Sequence, residues 1–83
     1  MPVAISQLCA GQSARISRIE GGRGLMRRLE ALGLRPGKTV RKVSSQFMGG
    51  PVTVSVDGRQ VAMGRGMAAK VIVDPEEPDF NAD

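Results

Sequence analysis

Arginine is the residue through which this chain of 83 residues could do chemistry, since nine of its twelve cations are Arg and it has no His. A guanidinium holds five donors in a planar fork that grips carboxylate and phosphate groups, and it stays protonated at any ordinary pH. It binds oxyanions, therefore, and does not shuttle protons. Without imidazole the chain lacks the usual general base of neutral pH and the commonest nitrogen ligand for metals. The single Cys9 gives neither an internal disulfide nor a thiolate cluster. The thioethers of Met26, Met48, Met63 and Met67 are poor partners for a hard divalent cation. These absences predict a chain with no catalytic residues, no resident metal site and no cofactor.

The arginines are not evenly spread. Arg23, Arg27, Arg28 and Arg35 gather on and around a segment whose leucines, Leu25, Leu29 and Leu32, recur at the spacing of a helix. Arg23 and Arg27 stand four residues apart and so share a helix face. Such a ridge suits an acidic protein surface or a phosphate backbone. Arg23, Leu25, Arg27, Arg28 and Arg35 are the candidate contact residues. The whole of residues 1–73 carries twelve bases against only Glu20, Glu30 and Asp57. That net charge of +9 would draw nucleic acid weakly. With no Trp or Tyr and only Phe47 and Phe80, the chain has little on which to stack bases, so no specific nucleic acid is expected.

Two glycine patterns invite a nucleotide-binding reading and fail it. Gly33-Leu-Arg-Pro-Gly37-Lys38-Thr39 has three residues between its glycines where a phosphate-binding loop needs four, and it leads from helix to strand instead of the reverse. Gly64-Arg-Gly66 has no room around it for a βαβ unit. Both read better as punctuation: Gly33 and the Pro36-Gly37 turn end a helix, and Gly64 and Gly66 allow a corner between strands.

The elements that position these residues are short. Residues 3–8 read as a short helical turn or an entry segment that tucks in Ile5 and Leu8. Ser13 to Glu20 reads as a strand whose apolar pattern slips by one residue near Arg18, the mark of a bulge. A helix is predicted over 25–32, stopped by Gly33. A second strand follows, marked by Val40 and Val43 at a spacing of three instead of two, and Gln46 to Pro51 is a loop. Val52, Val54 and Val56 alternate with Thr53 and Ser55, and Asp57-Gly58 forms a type I′ hairpin turn into a return strand, with Val61 and Met63 inward. A helical turn over 64–69 and a strand to Val73 complete the set. The fold class is mainly β, a small barrel of about five short strands with one short helix inserted after the first, since closure hides the edges of so small a sheet. One domain spans 1–73. Residues 74–83 hold five acids, two prolines and no base, and read as a disordered acidic tail that aids solubility or folds back on the basic body. No apolar run approaches a membrane span and no secretory signal is evident, so the expected location is the cytoplasm, without membrane insertion.

The sequence resembles the FeoA family of bacterial ferrous iron uptake. The likeness is carried by Leu8-x-x-Gly11-Gln-x-Ala-Arg-Ile16, by Ile19-x-Gly-Gly22, and most specifically by Arg28-Leu29-x-x-Leu32-Gly33-Leu34-x-Pro36-Gly37. It continues through Gly50-Pro51-Val52, the Val54–Val61 hairpin and Met63-Gly-Arg-Gly-Met-Ala68 to Ile72-Val73. The resemblance implies an SH3-like barrel and a partner, the FeoB membrane transporter with its cytoplasmic G-protein domain. It also implies a role as a non-enzymatic adaptor or regulator of that transporter. Two alternatives stand beside it: a basic barrel that binds nucleic acid, and a transition-metal sensor or carrier related to the C-terminal domain of iron-dependent repressors. For the second, Cys9 at a site shared between two chains is the one available route.

Overall fold

A computed structural model describes residues 1–45 and 50–76. The chain runs through β1 (Val3–Ala4), a 3₁₀ turn (Ile5–Gln7), β2 (Ser13–Ile19), α1 (Arg23–Ala31), β3 (Thr39–Ser45), β4 (Val52–Val56), β5 (Arg59–Met63), α2 (Arg65–Ala68) and β6 (Val71–Pro75). The strands form one antiparallel sheet in the order β1-β6-β2-β3-β4-β5. The expected mainly β fold with one inserted helix is therefore present, with six strands instead of five. The extra strand is β1, where a short helical turn or an entry segment was expected: Val3 and Ala4 pair with Val73 and Ile72, and only Ile5–Gln7 turn helically. At the other end β6 continues past Val73, because Asp74 pairs with Arg15 and Pro75 with Ala14. Most of the expected acidic tail, residues 77–83, and most of the expected 46–51 loop lie outside the described residues.

The inward faces of the strands and of α1 meet in a core of Ile5, Leu8, Ala14, Ile16, Leu29, Leu34, Val40, Val54, Val56, Val71 and Val73, among others. Alternation in β4 is strict, with Val52, Val54 and Val56 buried. The bulge expected in β2 lies between Ile16 and Arg18, where the register against β6 shifts. In β3 the inward pair is Val40 and Lys42, not Val40 and Val43. A second bulge between Lys42 and Ser44 turns Val43 out, leaving it 37% exposed. Lys42 is only 2% exposed and its Nζ donates to the Ser6 carbonyl at 2.9 Å, which ties β3 to the 3₁₀ turn.

Helix α1 begins two residues before the predicted start, from an extended Gly22, and ends one residue earlier. The apolar period marks only the buried face, and the exposed Arg23 and Gly24 carry no such signal. Its end is a Schellman motif: the Gly33 N–H donates to the Glu30 carbonyl and the Leu34 N–H to that of Leu29, both at 2.9 Å, with Gly33 at φ +89°. In the next turn the Lys38 N–H donates to the Arg35 carbonyl at 3.1 Å around Pro36 and Gly37, and Gly37 has φ +94°. The hairpin turn is also as expected, with positive φ at both Asp57 (51°) and Gly58 (79°). Gly64 and Gly66 differ from expectation. Gly64 caps α2 with an ordinary extended backbone, and a β carbon at either would meet nothing within 4 Å.

Leu29 is fully buried, so Leu29→Ala should cost about 2–5 kcal/mol through lost transfer energy and an unfilled cavity. Gly37→Val should also destabilise, because a β-branched residue resists the left-handed region. Chemical denaturation followed by circular dichroism checks both. A wild-type midpoint in either variant would mean that the helix or the turn does not bear on stability as described.

Candidate functional site

Arg23, Arg27 and Arg28 are exposed along α1, and Arg35 is exposed just beyond its end. Among the described residues the ion pairs are Arg18–Glu20 and Lys38–Asp57, both at 2.9 Å, so none of these four arginines has an acidic partner there. The first turn of α1 holds no acid, and Gly22 provides no side-chain cap. Arg23 thus stands at the positive end of the helix dipole, a like-charge arrangement that works against helix stability. Leu25, also a candidate contact residue, is half-buried. It packs against the core and over Gly21, where a β carbon would come within 2.6 Å of Leu25 Cδ2. The surface of α1 therefore carries, beside Glu30, a strip of guanidinium groups that have no acidic partner among the described residues, with a partly exposed leucine on its flank.

The far end of the strip contains more than the sequence suggests. The Gly33 cap and the Asp57-Gly58 hairpin tip, expected only as separate turns, lie side by side. Lys38 Nζ donates to both Asp57 carboxylate oxygens, at 3.2 and 2.9 Å, and Arg59 Nη2 donates to the Leu32 carbonyl at 3.0 Å, closing the helix end. Arg35 adds a further positive charge near Asp57. The hydrogen bond from Lys38, supported by its charge and by those of Arg59 and Arg35, holds the Asp57 carboxyl below the usual carboxylate range. Arg59 and Lys38 escape a reading of the sequence because their partners lie 27 and 19 residues away. The only local signal was the hairpin turn itself, which fixes where Asp57 and Arg59 emerge.

Metal chemistry finds no support in these side chains. Cys9 is exposed, and among the described residues no three of His, Cys, Asp and Glu come together. Among the described residues a donor set of one exposed thiol and separated carboxylates does not fit a resident transition metal. Among the described residues no helix is long and apolar enough to cross a membrane.

Because the folded Asp57 carboxyl titrates below its unfolded value, its contribution to stability is present above the unfolded pKa and is lost as pH falls through the folded one. Asp57 is solvent-exposed, so the effect is small and sensitive to salt. Asp57→Asn keeps a side chain that tolerates positive φ and should flatten the acid limb of the stability–pH curve. Parallel wild-type and variant curves between neutral pH and pH 3 would contradict the ion pair.

Comparison with known proteins matches residues 3–75 to the FeoA domain. A candidate Fe(2+) transport protein A of Methanocaldococcus jannaschii is 34% identical over 67 residues, covering 81% of this chain and 79% of that one. The crystal structure of an iron uptake regulatory protein (FeoA) superposes with a TM-score of 0.84 at 33% identity, over 92% of this chain and 99% of the other. T. acidophilum IdeR contains a similar unit, with a TM-score of 0.79 at 32% identity, over 90% of this chain and 34% of that longer one. The matched span takes in α1, its glycine cap, the Pro36-Gly37 turn and every strand from β1 to β6, and the chain belongs to the FeoA family.

Proposed function

We propose that this chain is a small cytoplasmic, non-enzymatic adaptor or regulator of ferrous iron uptake that docks on a FeoB-type membrane transporter, at its cytoplasmic G domain or its membrane part. The observation that carries the reading is the strip on α1, where Arg23, Arg27, Arg28 and Arg35 have no acidic partner among the described residues and flank the half-buried Leu25. Arginine is enriched at interface hot spots, where its guanidinium contributes planar hydrogen bonds, and Leu25 beside it adds apolar area that docking would remove from water. The relatives named for Fe(2+) transport and iron uptake regulation support the biological setting. The partner surface is then acidic, and long-range attraction to the basic barrel speeds encounter while close contacts set the lifetime.

Reversing Arg27 and Arg28 to Glu should weaken binding to the purified transporter by at least about tenfold per residue, the loss expected for a contact worth ~1.4 kcal/mol. Thermal melting should stay near wild type, because both side chains are exposed. Isothermal titration at two salt concentrations checks the claim, and affinity unchanged by the double reversal would remove α1 from the interface. A nucleic-acid binder would instead hold duplexes of any sequence with a steep loss of affinity in salt.

A further inference from the structure

The outer face of the sheet carries a polar row that the α1 surface does not use. Ser13 lies opposite Arg41, Arg41 opposite Ser55, and Ser55 opposite Gln60. Directly opposed residues share a face, and this one points away from the core, because the alternate residues Val40, Val54, Val56 and Val61 are buried. Around Arg41, Ser55 and Gln60 the surface sinks into a recess of about 300 Å³, completed by Gly11, Lys42 and Val43. Two backbone features form it. The β3 bulge bends the strand at Val43, and Gly11, at φ +87°, donates its N–H to the Lys42 carbonyl at 2.6 Å.

Gly11 also orients the arginine. Arg41 Nε donates to the Gly11 carbonyl at 3.3 Å, which leaves the four Nη hydrogens of the guanidinium to bind a ligand. Among the described residues Arg41 has no carboxylate partner, and neither the Ser55 hydroxyl nor the Gln60 amide makes a side-chain hydrogen bond. One guanidinium, held by its Nε on Gly11, and two neutral donors thus meet in the recess without a carboxylate among the described residues.

We infer that this recess binds a carboxylate group, with Arg41 as a bidentate partner and Ser55 and Gln60 supplying further donors. A single guanidinium balances one negative charge and matches the planar carboxylate, whereas a phosphate near −2 would be left under-neutralised. Two sources offer this chemistry: another molecule, or the chain's own residues Glu76, Glu77, Asp79 and Asp83. Of these, Glu76 is close at hand, because its N–H donates to the Ser13 carbonyl at 2.9 Å and Ser13 is the cross-strand neighbour of Arg41.

The test titrates the full-length, ¹⁵N-labelled chain with sodium acetate, against sodium chloride at matched ionic strength. Saturable amide shifts are expected at Gly11, Val43, Ser55 and Gln60, with movement of the Gln60 side-chain NH₂ signals. Arg41→Gln should weaken binding about tenfold or more, as expected for loss of a charge-assisted pair, while Arg65→Gln, an equal change of charge elsewhere, should bind as wild type. If Arg41→Gln fails to fold, Gln60→Ala serves instead and should weaken binding by a smaller factor. Shifts reproduced by sodium chloride, or unchanged binding in Arg41→Gln, would overturn the site. Tighter binding of inorganic phosphate at the same amides would overturn the carboxylate assignment. Joint replacement of Glu76 and Glu77 by Gln and of Asp79 and Asp83 by Asn separates the sources. Tighter acetate binding in that variant assigns the recess to the chain's own carboxylates, and unchanged binding assigns it to another molecule.

Discussion

Leu34 can enter the core immediately after a helix only because Gly33 reverses the chain at φ +89°. Much of the molecule follows from that single backbone state. The Schellman bonds it permits satisfy the last carbonyls of α1 and bring Leu29 and Leu34 into one cluster. The chain then meets the Pro36-Gly37 turn, whose Gly37 N–H donates to the Ile16 carbonyl while the Ile16 N–H donates to that of Lys38. Those two bonds fix β3 against β2. A side chain at residue 33 would meet this arrangement twice, in its dihedral angle and in Arg59 Nη2, which stands 2.8 Å from where a β carbon would be. The helix is therefore held at its C-terminal end by a glycine, a turn and a hairpin tip together, and its arginines are presented from a rigid base.

The cations divide into distinct roles once their surroundings are known. Lys42 is taken from the surface altogether, with its stem among core residues and its ammonium on the Ser6 carbonyl. Lys38 and Arg59 join the helix end to the hairpin, and Arg18 pairs with Glu20. Arg23, Arg27 and Arg28 on α1 and Arg35 beyond it make no such internal bond among the described residues. Burying an unpaired charge is costly and exposing one is not, so arginines left on a surface without partners are held at little expense to the fold. Arg23 at the helix N-terminus even opposes it. Arg15, Arg41, Arg65 and Lys70 likewise lack an acidic partner among the described residues, so it is the gathering of four such arginines on and beside one helix that underlies the docking proposal.

The sequence was legible wherever a local physical requirement acts alone. Gly33, Gly37 and the Asp57-Gly58 pair announce positive φ, and Leu29 falls on the helical period. The β2 bulge shows as a slip in alternation. What escaped depends on partners distant in the chain. Val43 looks like a core residue until the β3 bulge against β4 turns it out and Lys42 in. Val3 and Ala4 are too few to signal a strand and become one only because the edge of β6 is there to receive them. The candidate arginines were found by type and spacing, yet Arg59 and Lys38, which define the far end of that surface, are tied to it by contacts across 27 and 19 residues. Arg41, Ser55 and Gln60 likewise meet only through strand register.

The most direct test of the docking account is an amide-shift titration of the ¹⁵N-labelled chain with the soluble G domain of a FeoB-type transporter. The account predicts shifts concentrated between Arg23 and Arg35, with those at β1 and α2 unchanged. Shifts absent at near-millimolar partner would exclude the G domain, and shifts confined to surfaces away from α1 would contradict the arginine strip as the site of contact.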